Sequence, residues 1–484
     1  MSSMGDYVTG KEKDFMRLKG WIREHRLYTV LICIAILTNL LMLVSFEYID
    51  VESITAWSLN FWDLLFKGRL SEFYQYAAEN LRGADYPNCS GNYLWLLPVC
   101  IWNFPLWVVH QVCGIMSVHY FFSICWTKLF LLFAQIVTAL VCRRICLNVT
   151  SGREAENTGL LAFLLVMASP EIMLSVGYTG QDEIIYICLF TIAFYYYLNE
   201  QWRKCYLLMV CCVTLCPIMM LPCLTLLLLK EKNIIRLIGL TAGTMVPLGL
   251  FELFYRNDAI YQVVKQRHDF GTLILDFFSA YQIMPESSEL SYSLIALLIL
   301  YFVCYTIKKE TGEEYQRKVI FIVASAFFIT CFLMPMDFYR MFLWVPFFVI
   351  LVLTSRQNRS MNLFLLTVLI YGRAVQMCQA GWTYSYVLNT KYVMPWLKKL
   401  CDRKNDTCLW DYLYNFFEGD REGMMKLILL VLPNIVLAMA ILLLVINGVK
   451  FKNKYDIMIS PKVSVALYVC CMPLFMAVFY LMLF

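Results

Sequence analysis

Charge is what this chain has least of. Asp, Glu, Lys and Arg make up 15% of its 484 residues and 61% are hydrophobic, whereas a soluble domain averages about 25% charged. A soluble globular protein is excluded, and an integral membrane protein is what remains. No polar stretch is longer than about 50 residues, which leaves no room for a soluble domain. Fixed-period repeats and low-complexity tracts are absent. No Cys-x-x-Cys pair stands in a polar loop, so a zinc-type framework is excluded. Most of the 20 Cys lie in apolar runs, as in Cys211-Cys212 and Cys470-Cys471, where they read as small packed hydrophobes. Cys401 and Cys408 share one polar loop. A disulfide forms there if the loop faces an oxidising side; otherwise they are two free thiols. The net charge of +5 is small and spread over loops, which argues for cytoplasmic anchoring and against nucleic-acid binding.

Long apolar runs are what the chain has in abundance. They cover 27–46, 93–112, 119–142, 159–176, 184–199, 205–229, 235–254, 291–307, 318–336, 339–354, 361–380, 425–447 and 462–484. Each crossing needs about 20 residues. The expectation is an all-α polytopic protein of about 11–13 transmembrane helices. The first run is too long for a signal-peptide core and no small-residue cleavage site follows it, so it reads as a retained helix. Residues 1–26 carry Lys11, Lys13, Arg17, Lys19, Arg23 and Arg26, which places them in the cytoplasm. Three polar stretches, 47–92, 255–290 and 381–424, fall on the outer face by simple alternation. Strict alternation also sends Arg143-Arg144 and Arg203-Lys204 outside, against the positive-inside rule. If 93–112 (Pro98, Pro105) and 205–229 (Pro217, Pro222) are proline-broken helices that return to the side they left, every basic cluster stays inside. The alternation alone leaves both topologies open.

The stretch 47–92 holds the chemistry. Its spacing predicts interfacial helices, with Trp57, Phe61, Leu64 and Leu65 on one face. Asp50 follows the first helix directly, with Glu47 and Glu52 around it. A carboxylate there can serve as general base toward a hydroxyl, and close carboxylates raise one another's pKa. Asp63, further along, is expected to face solvent. Asp85-Tyr86-Pro87 opens a turn into an aromatic helix start. Gly180-Gln181-Asp182 sits between two apolar runs, where ionisable groups suggest function. Arg340, in Met334-Pro335-Met336-Asp337-Phe338-Tyr339-Arg340, offers the planar cation that binds phosphate. Each element also has a plainer reading: a solvated helix end, a belt loop, a short turn, a helix cap. His110 and His119 read as polar caps rather than metal ligands. The residues name no certain cofactor, and a divalent cation is compatible with them.

The order of these features resembles the GT-C superfamily of polyprenyl-phosphate-sugar-dependent glycosyltransferases, notably its bacterial mannosyltransferase-like branch. The resemblance rests on the early acid Asp50, the Tyr86-Pro87 turn, Gly180-Gln181-Asp182, the broken segment Cys216-Pro217 to Pro222, and Pro335 to Arg340. It covers about residues 27–350. It implies a site on the outer face, a polyprenyl-phosphate-sugar donor and a glycan or lipid-linked acceptor. It makes Asp50 the general base and gives Arg340 the donor phosphate. Glu47, Glu52, Tyr86, Gln181 and Asp182 would line the substrate. The chain departs from the family pattern in three places: Tyr86-Pro87-Asn88-Cys89, Cys216 before Pro217, and Asp337-Phe338-Tyr339-Arg340. These suit a divergent subfamily or one that has lost activity.

The expected organisation is therefore a basic N-terminus (1–26), a GT-C-like catalytic module (27–350) with outer loops 47–92 and 255–290, and C-terminal helices (351–484) with outer loop 381–424. The protein would lie in a bacterial plasma membrane among lipids. Two rivals stand beside this reading. A surface-polysaccharide polymerase would use a basic late loop, here Lys391, Lys398, Lys399, Arg403, Lys404 and Arg421. A lipid-linked sugar flippase would show internal repeats and buried charges, of which Lys128, Glu252 and Arg373 are the candidates.

Overall fold

The computed structural model describes residues 25–84, 93–150, 155–267, 282–283, 290–308, 310, 312–334, 342–355, 359–379, 386–387, 421–448 and 461–483. Helix dominates throughout. The only strands among these residues are two-residue pairs: β1 (Phe46–Glu47), β2 (Gln282–Ile283), β3 (Leu290–Ser291) and β4 (Tyr386–Val387). β1 pairs antiparallel with β4, and β2 with β3. Among the described residues nine helices are long and apolar enough to cross a membrane, and four shorter apolar helices accompany them. The chain is an all-α, multi-pass membrane protein.

The chain begins with α1 (Arg26–Ser45) and β1, followed by α2 (Ile49–Phe66), α3 (Phe73–Glu79) and α4 (Leu97–Cys113). Then come α5 (Phe121–Val149), α6 (Ala155–Met167), a π-helical stretch at Met173–Thr179 and α7 (Glu183–Leu198). The middle holds α8 (Trp202–Leu215), α9 (Met220–Lys230), α10 (Ile234–Tyr255), α11 (Ala259–Arg267) and α12 (Tyr292–Thr306). The last part holds α13 (Glu313–Phe332), α14 (Val345–Thr354), α15 (Arg359–Gln379), α16 (Arg421–Gly448) and α17 (Pro461–Leu483).

Cross-links between helix ends define two ends of the molecule. At one, Asn148 at the end of α5 bonds Asn199 at the end of α7 (3.3 Å). There too Arg359 bonds Thr158 (2.7 Å), Tyr197 meets Tyr315 (3.3 Å), the Tyr305 hydroxyl donates to the Lys232 carbonyl (2.8 Å) and Asn362 bonds Asn447 (3.0 Å). Arg143-Arg144, Arg203-Lys204, Lys230, Lys232, Lys318 and Arg359 all gather at this end. At the other end Phe46 packs against Tyr178 and Phe479, and the Tyr255 hydroxyl donates to the Leu70 carbonyl (2.7 Å).

The two proline-rich segments resolve differently. Proline disfavours the helical region for the residue before it. Cys216, ahead of Pro217, is extended (φ −142°, ψ 104°) and separates α8 from α9. The chain turns there and comes back, so that Lys230 Nζ lies 5.6 Å over the Trp202 ring. The segment thus returns to the end it left. The 93–112 segment is not broken. Pro98 sits in the first turn of α4, where its missing N–H costs nothing, and the helix continues through Pro105. α4 lies against the first turns of α5: His110 reaches Ser123 (2.8 Å), and Asn103 reaches Thr127 (3.0 Å).

α2 also differs from the expectation of an interfacial helix with one apolar face. Trp57, Phe61 and Leu64 are buried, but so are Ser53, Thr55, Ser58, Asn60 and Asp63. Its polar residues find buried partners: Thr55 bonds Thr127 (2.9 Å), and Asn103 donates to Ser58 (2.8 Å). Leu65 is the exposed member of the predicted face. Asp63 does not face solvent. Its carboxylate accepts from Trp107 Nε1 (2.8 Å), Gln111 Nε2 (2.9 Å) and Tyr76 OH (3.3 Å), and pairs with buried Arg82.

Candidate active site

The site forms where α1 ends and the π-helical stretch ends. A π-helix widens the backbone turn and leaves carbonyls off the regular ladder, often at functional sites. Lys128, fully buried in α5, fills this space. Its ammonium donates to the carbonyls of Phe46 (2.6 Å), Gly177 (2.7 Å) and Tyr178 (3.1 Å). An ammonium has three donors, and here three carbonyls receive them. One cation therefore ties α5, β1 and the π-helix together.

Gly180 closes the next link. It is left-handed (φ +71°), a conformation that glycine adopts at no steric cost. A Cβ there would lie 2.6 Å from Val51 Cβ, so the chain approaches α2 as closely as it does only because no side chain intervenes. The turn is held by the Gln181 N–H donating to the Ser175 carbonyl (2.8 Å). The result is that Gln181 Nε2 donates to Asp50 Oδ2 at 2.5 Å. Two of the residues singled out in the sequence thus meet across the fold.

Asp50 occupies the first turn of α2 and is half-buried. The Gln181 amide orients its carboxylate. Glu52, on the next part of that turn, is only 2% exposed, with His119 Nδ1 3.8 Å from its Oε1. The His119 ring is in turn hydrogen-bonded through Nε2 to the Gly83 carbonyl. A neutral carbonyl only accepts, so Nε2 carries the proton and Nδ1 faces Glu52. Asp182 is half-buried at the start of α7, and Glu183 behind it is buried. A half-buried carboxylate oriented by the buried Gln181 amide is equipped to take a proton from a hydroxyl held against it.

Three predicted residues add nothing to this geometry. Tyr86 and Arg340 lie outside the described residues, and of Glu47 only the backbone is described. The outer loop 381–424 and Cys401 and Cys408 are likewise outside, apart from β4 and the first residues of α16. Among the described residues no three His, Cys, Asp or Glu side chains converge as a metal site. His110 and His119 act as polar links, to Ser123 and Gly83. The sequence reading left Lys128 as an isolated buried charge and gave His119 only the role of a polar cap. The clue for Lys128 was a lysine within an otherwise apolar run. For His119 no local signal exists, because Glu52 and Gly83 lie far away in the chain. Comparison with family models, curated proteins and solved structures finds no match.

Proposed function

We propose that this chain is a membrane glycosyltransferase that moves a sugar from a polyprenyl-phosphate donor to an acceptor hydroxyl. The observation that carries the proposal is the Gln181–Asp50 hydrogen bond. It joins the early acid to the Gly-Gln-Asp element, two of the three parts of the GT-C-like pattern that lie in the described residues, the third being the broken segment Cys216-Pro217 to Pro222. In this reading Asp50 takes the acceptor proton as the acceptor oxygen attacks the anomeric carbon. The bond from that carbon to the phosphate oxygen breaks, and its electron pair leaves with the phosphate. Developing charge on a phosphate calls for a cation, the role assigned to Arg340. Attack opposite the leaving group inverts the anomeric centre. Asp50 then returns its proton to solvent. Glu52, Gln181 and Asp182 are assigned to substrate binding, as are Glu47 and Tyr86.

The basic end is taken as cytoplasmic by the positive-inside rule, which puts Asp50 on the outer face. The passes are then α1, α5, α6 with the π-helix, α7, α10, α12, α13, α14, α15, α16 and α17: about eleven crossings, of which α7, α12 and α14 are shorter than the roughly 20 residues that bridge a core of about 30 Å. The α8–α9 hairpin returns inside and α2 to α4 stay outside. The setting proposed is a bacterial plasma membrane. The test is reconstitution of the full chain in proteoliposomes with radiolabelled polyprenyl-phosphate hexoses. Label should leave the lipid-phosphate fraction for a glycan or lipid-linked product. Unchanged donor with every hexose and acceptor preparation tried would remove the enzyme reading.

A further inference from the structure

α4 carries no charge. No Asp, Glu, Lys or Arg stands anywhere from Tyr86 to Thr127, and the face that α4 turns outward is apolar along its length. Ile101, Phe104, Val108 and Val112 repeat at helical spacing and are all exposed, Ile101 at 70% and Val112 at 80%. Phe66 of α2 is exposed too and extends the patch, stacked on Trp107 at 4.8 Å. The indole N–H groups around it all serve the protein. Trp62 donates to the Cys100 carbonyl (2.7 Å), Trp102 and Trp126 to each other's carbonyls (2.9 and 3.2 Å) and Trp107 to Asp63 (2.8 Å). These rings therefore turn only carbon outward. A contiguous apolar patch of this kind marks a contact surface.

α5 sets the depth of this patch. α1 has 20 residues and α5 has 29, about 30 Å and about 43 Å of helix. A bilayer core is about 30 Å thick, and about 40–45 Å with its headgroups. Lys128 of α5 is level with the end of α1, because it bonds the Phe46 carbonyl (2.6 Å). Residues 121–127 of α5 therefore run about 10 Å past that end, through the headgroup layer. α4 is fastened to this stretch, with Asn103 on Thr127 (3.0 Å) and His110 on Ser123 (2.8 Å). Its Trp102 reaches lower, stacked on Phe130 (5.2 Å) and Phe133 (6.4 Å). There the patch joins the exposed apolar row of α5, Leu129, Phe133 and Leu140. Composition and length would let Leu94–Cys113 cross a membrane, but its contacts hold both ends beside α2. Trp95 meets Trp57 (6.2 Å) before the first turn, and Gln111 reaches Asp63 (2.9 Å) in the last.

We propose that α4 lies within one leaflet without crossing, with Ile101, Phe104, Val108, Val112 and Phe66 against lipid chains. Interfacial helices bury an apolar face about 5–10 Å into the headgroup and acyl boundary, which is the depth α5 gives this one. The seat depends on α1 and α5 crossing the membrane and not on the chemistry at Asp50. The test places the photo-crosslinker p-benzoylphenylalanine singly at Ile101, Val108 or Val112. The full chain is reconstituted in vesicles of phosphatidylethanolamine and phosphatidylglycerol, irradiated and examined by mass spectrometry. Leu140, exposed on α5, is the lipid-facing control, and Gln75, exposed on α3 and bonded to Glu79 (3.0 Å), the polar one. The three α4 positions should give lipid adducts at least about tenfold above Gln75, as burial of a large apolar side chain implies. Three separate positions guard against one that fails to fold. Yields at the Gln75 level at all three, with Leu140 labelled, would put the stripe in water and overturn the proposal. Adducts to a second copy of the chain would make it a self-interface and overturn it as well. Protease sites inserted at Gly68, after α2, and at Gly114, after α4, should be cut from the same face of the vesicle. Cutting from opposite faces means that α4 crosses, which also overturns it.

Discussion

Asp63→Asn should destabilise this protein, although its position in the sequence suggests a solvated helix face. Asp63 and Arg82 side chains are each 8% exposed. Four donors converge on the carboxylate: Arg82, Trp107, Gln111 and Tyr76. Asparagine offers one acceptor oxygen and turns an NH₂ toward the remaining donors. Arg82 would keep its bond to Asn60 Oδ1 (2.8 Å) but lose its anionic partner in a buried setting. Removing one member of a buried pair costs about 3–5 kcal/mol, because the other is left uncompensated. That is roughly 10² to 5 × 10³-fold in the folded-to-unfolded ratio. Replacing both residues by apolar ones of similar size is often close to neutral. Asp63→Leu with Arg82→Met should therefore cost less than either single change. The assay is unfolding of the detergent-solubilised chain against rising SDS mole fraction, followed by tryptophan fluorescence. A wild-type midpoint for Asp63→Asn, or a double variant that costs the sum of the singles, would refute the reasoning. Asp63 lies about 20 Å along α2 from Asp50, so the molecules that do fold should transfer sugar normally.

Other consequences follow from the same contacts. Gly180→Ala combines a left-handed backbone with a Cβ placed 2.6 Å from Val51 Cβ; it should separate Gln181 from Asp50 and cut transfer by more than it lowers the folded yield, read as turnover per folded molecule. Lys128→Met withdraws three donors from buried carbonyls, at about 1–3 kcal/mol for each one left unsatisfied, and should lower both the unfolding midpoint and transfer. A reporter fused in the α7–α8 turn, near Gln201, should read cytoplasmic and one at Gly180 extracytoplasmic; the reverse pair would invert the assigned topology.

Much of the helical skeleton was legible, because apolar runs near the span length leave few alternatives. Pro217 marked a real break, since it forces Cys216 out of the helical region. Pro98 did not, because a proline in a first turn begins a helix instead of ending one, and composition does not separate these cases. α2 was misread for a different reason. Its polar residues look solvated until their partners are known, and those partners come from α3, α4 and α5. The site was legible as a set of parts and not as a constellation. Asp50 and Gln181 stand 131 residues apart, and no local pattern states that Gly180 lets them meet. Lys128 was visible as a rare buried cation, but its partners are backbone carbonyls, which carry no sequence signal.

The central claim is that Asp50 is the base, and one substitution tests it most directly. Asp50→Asn keeps the shape and the contact with Gln181 but cannot take a proton. General-base catalysis contributes typically about 10²–10⁴-fold. In proteoliposomes carrying a radiolabelled polyprenyl-phosphate sugar, Asp50→Asn should transfer at least about a hundredfold more slowly than wild type. Its folded yield and donor binding should be unchanged. Transfer by Asp50→Asn at close to the wild-type rate would contradict the assignment.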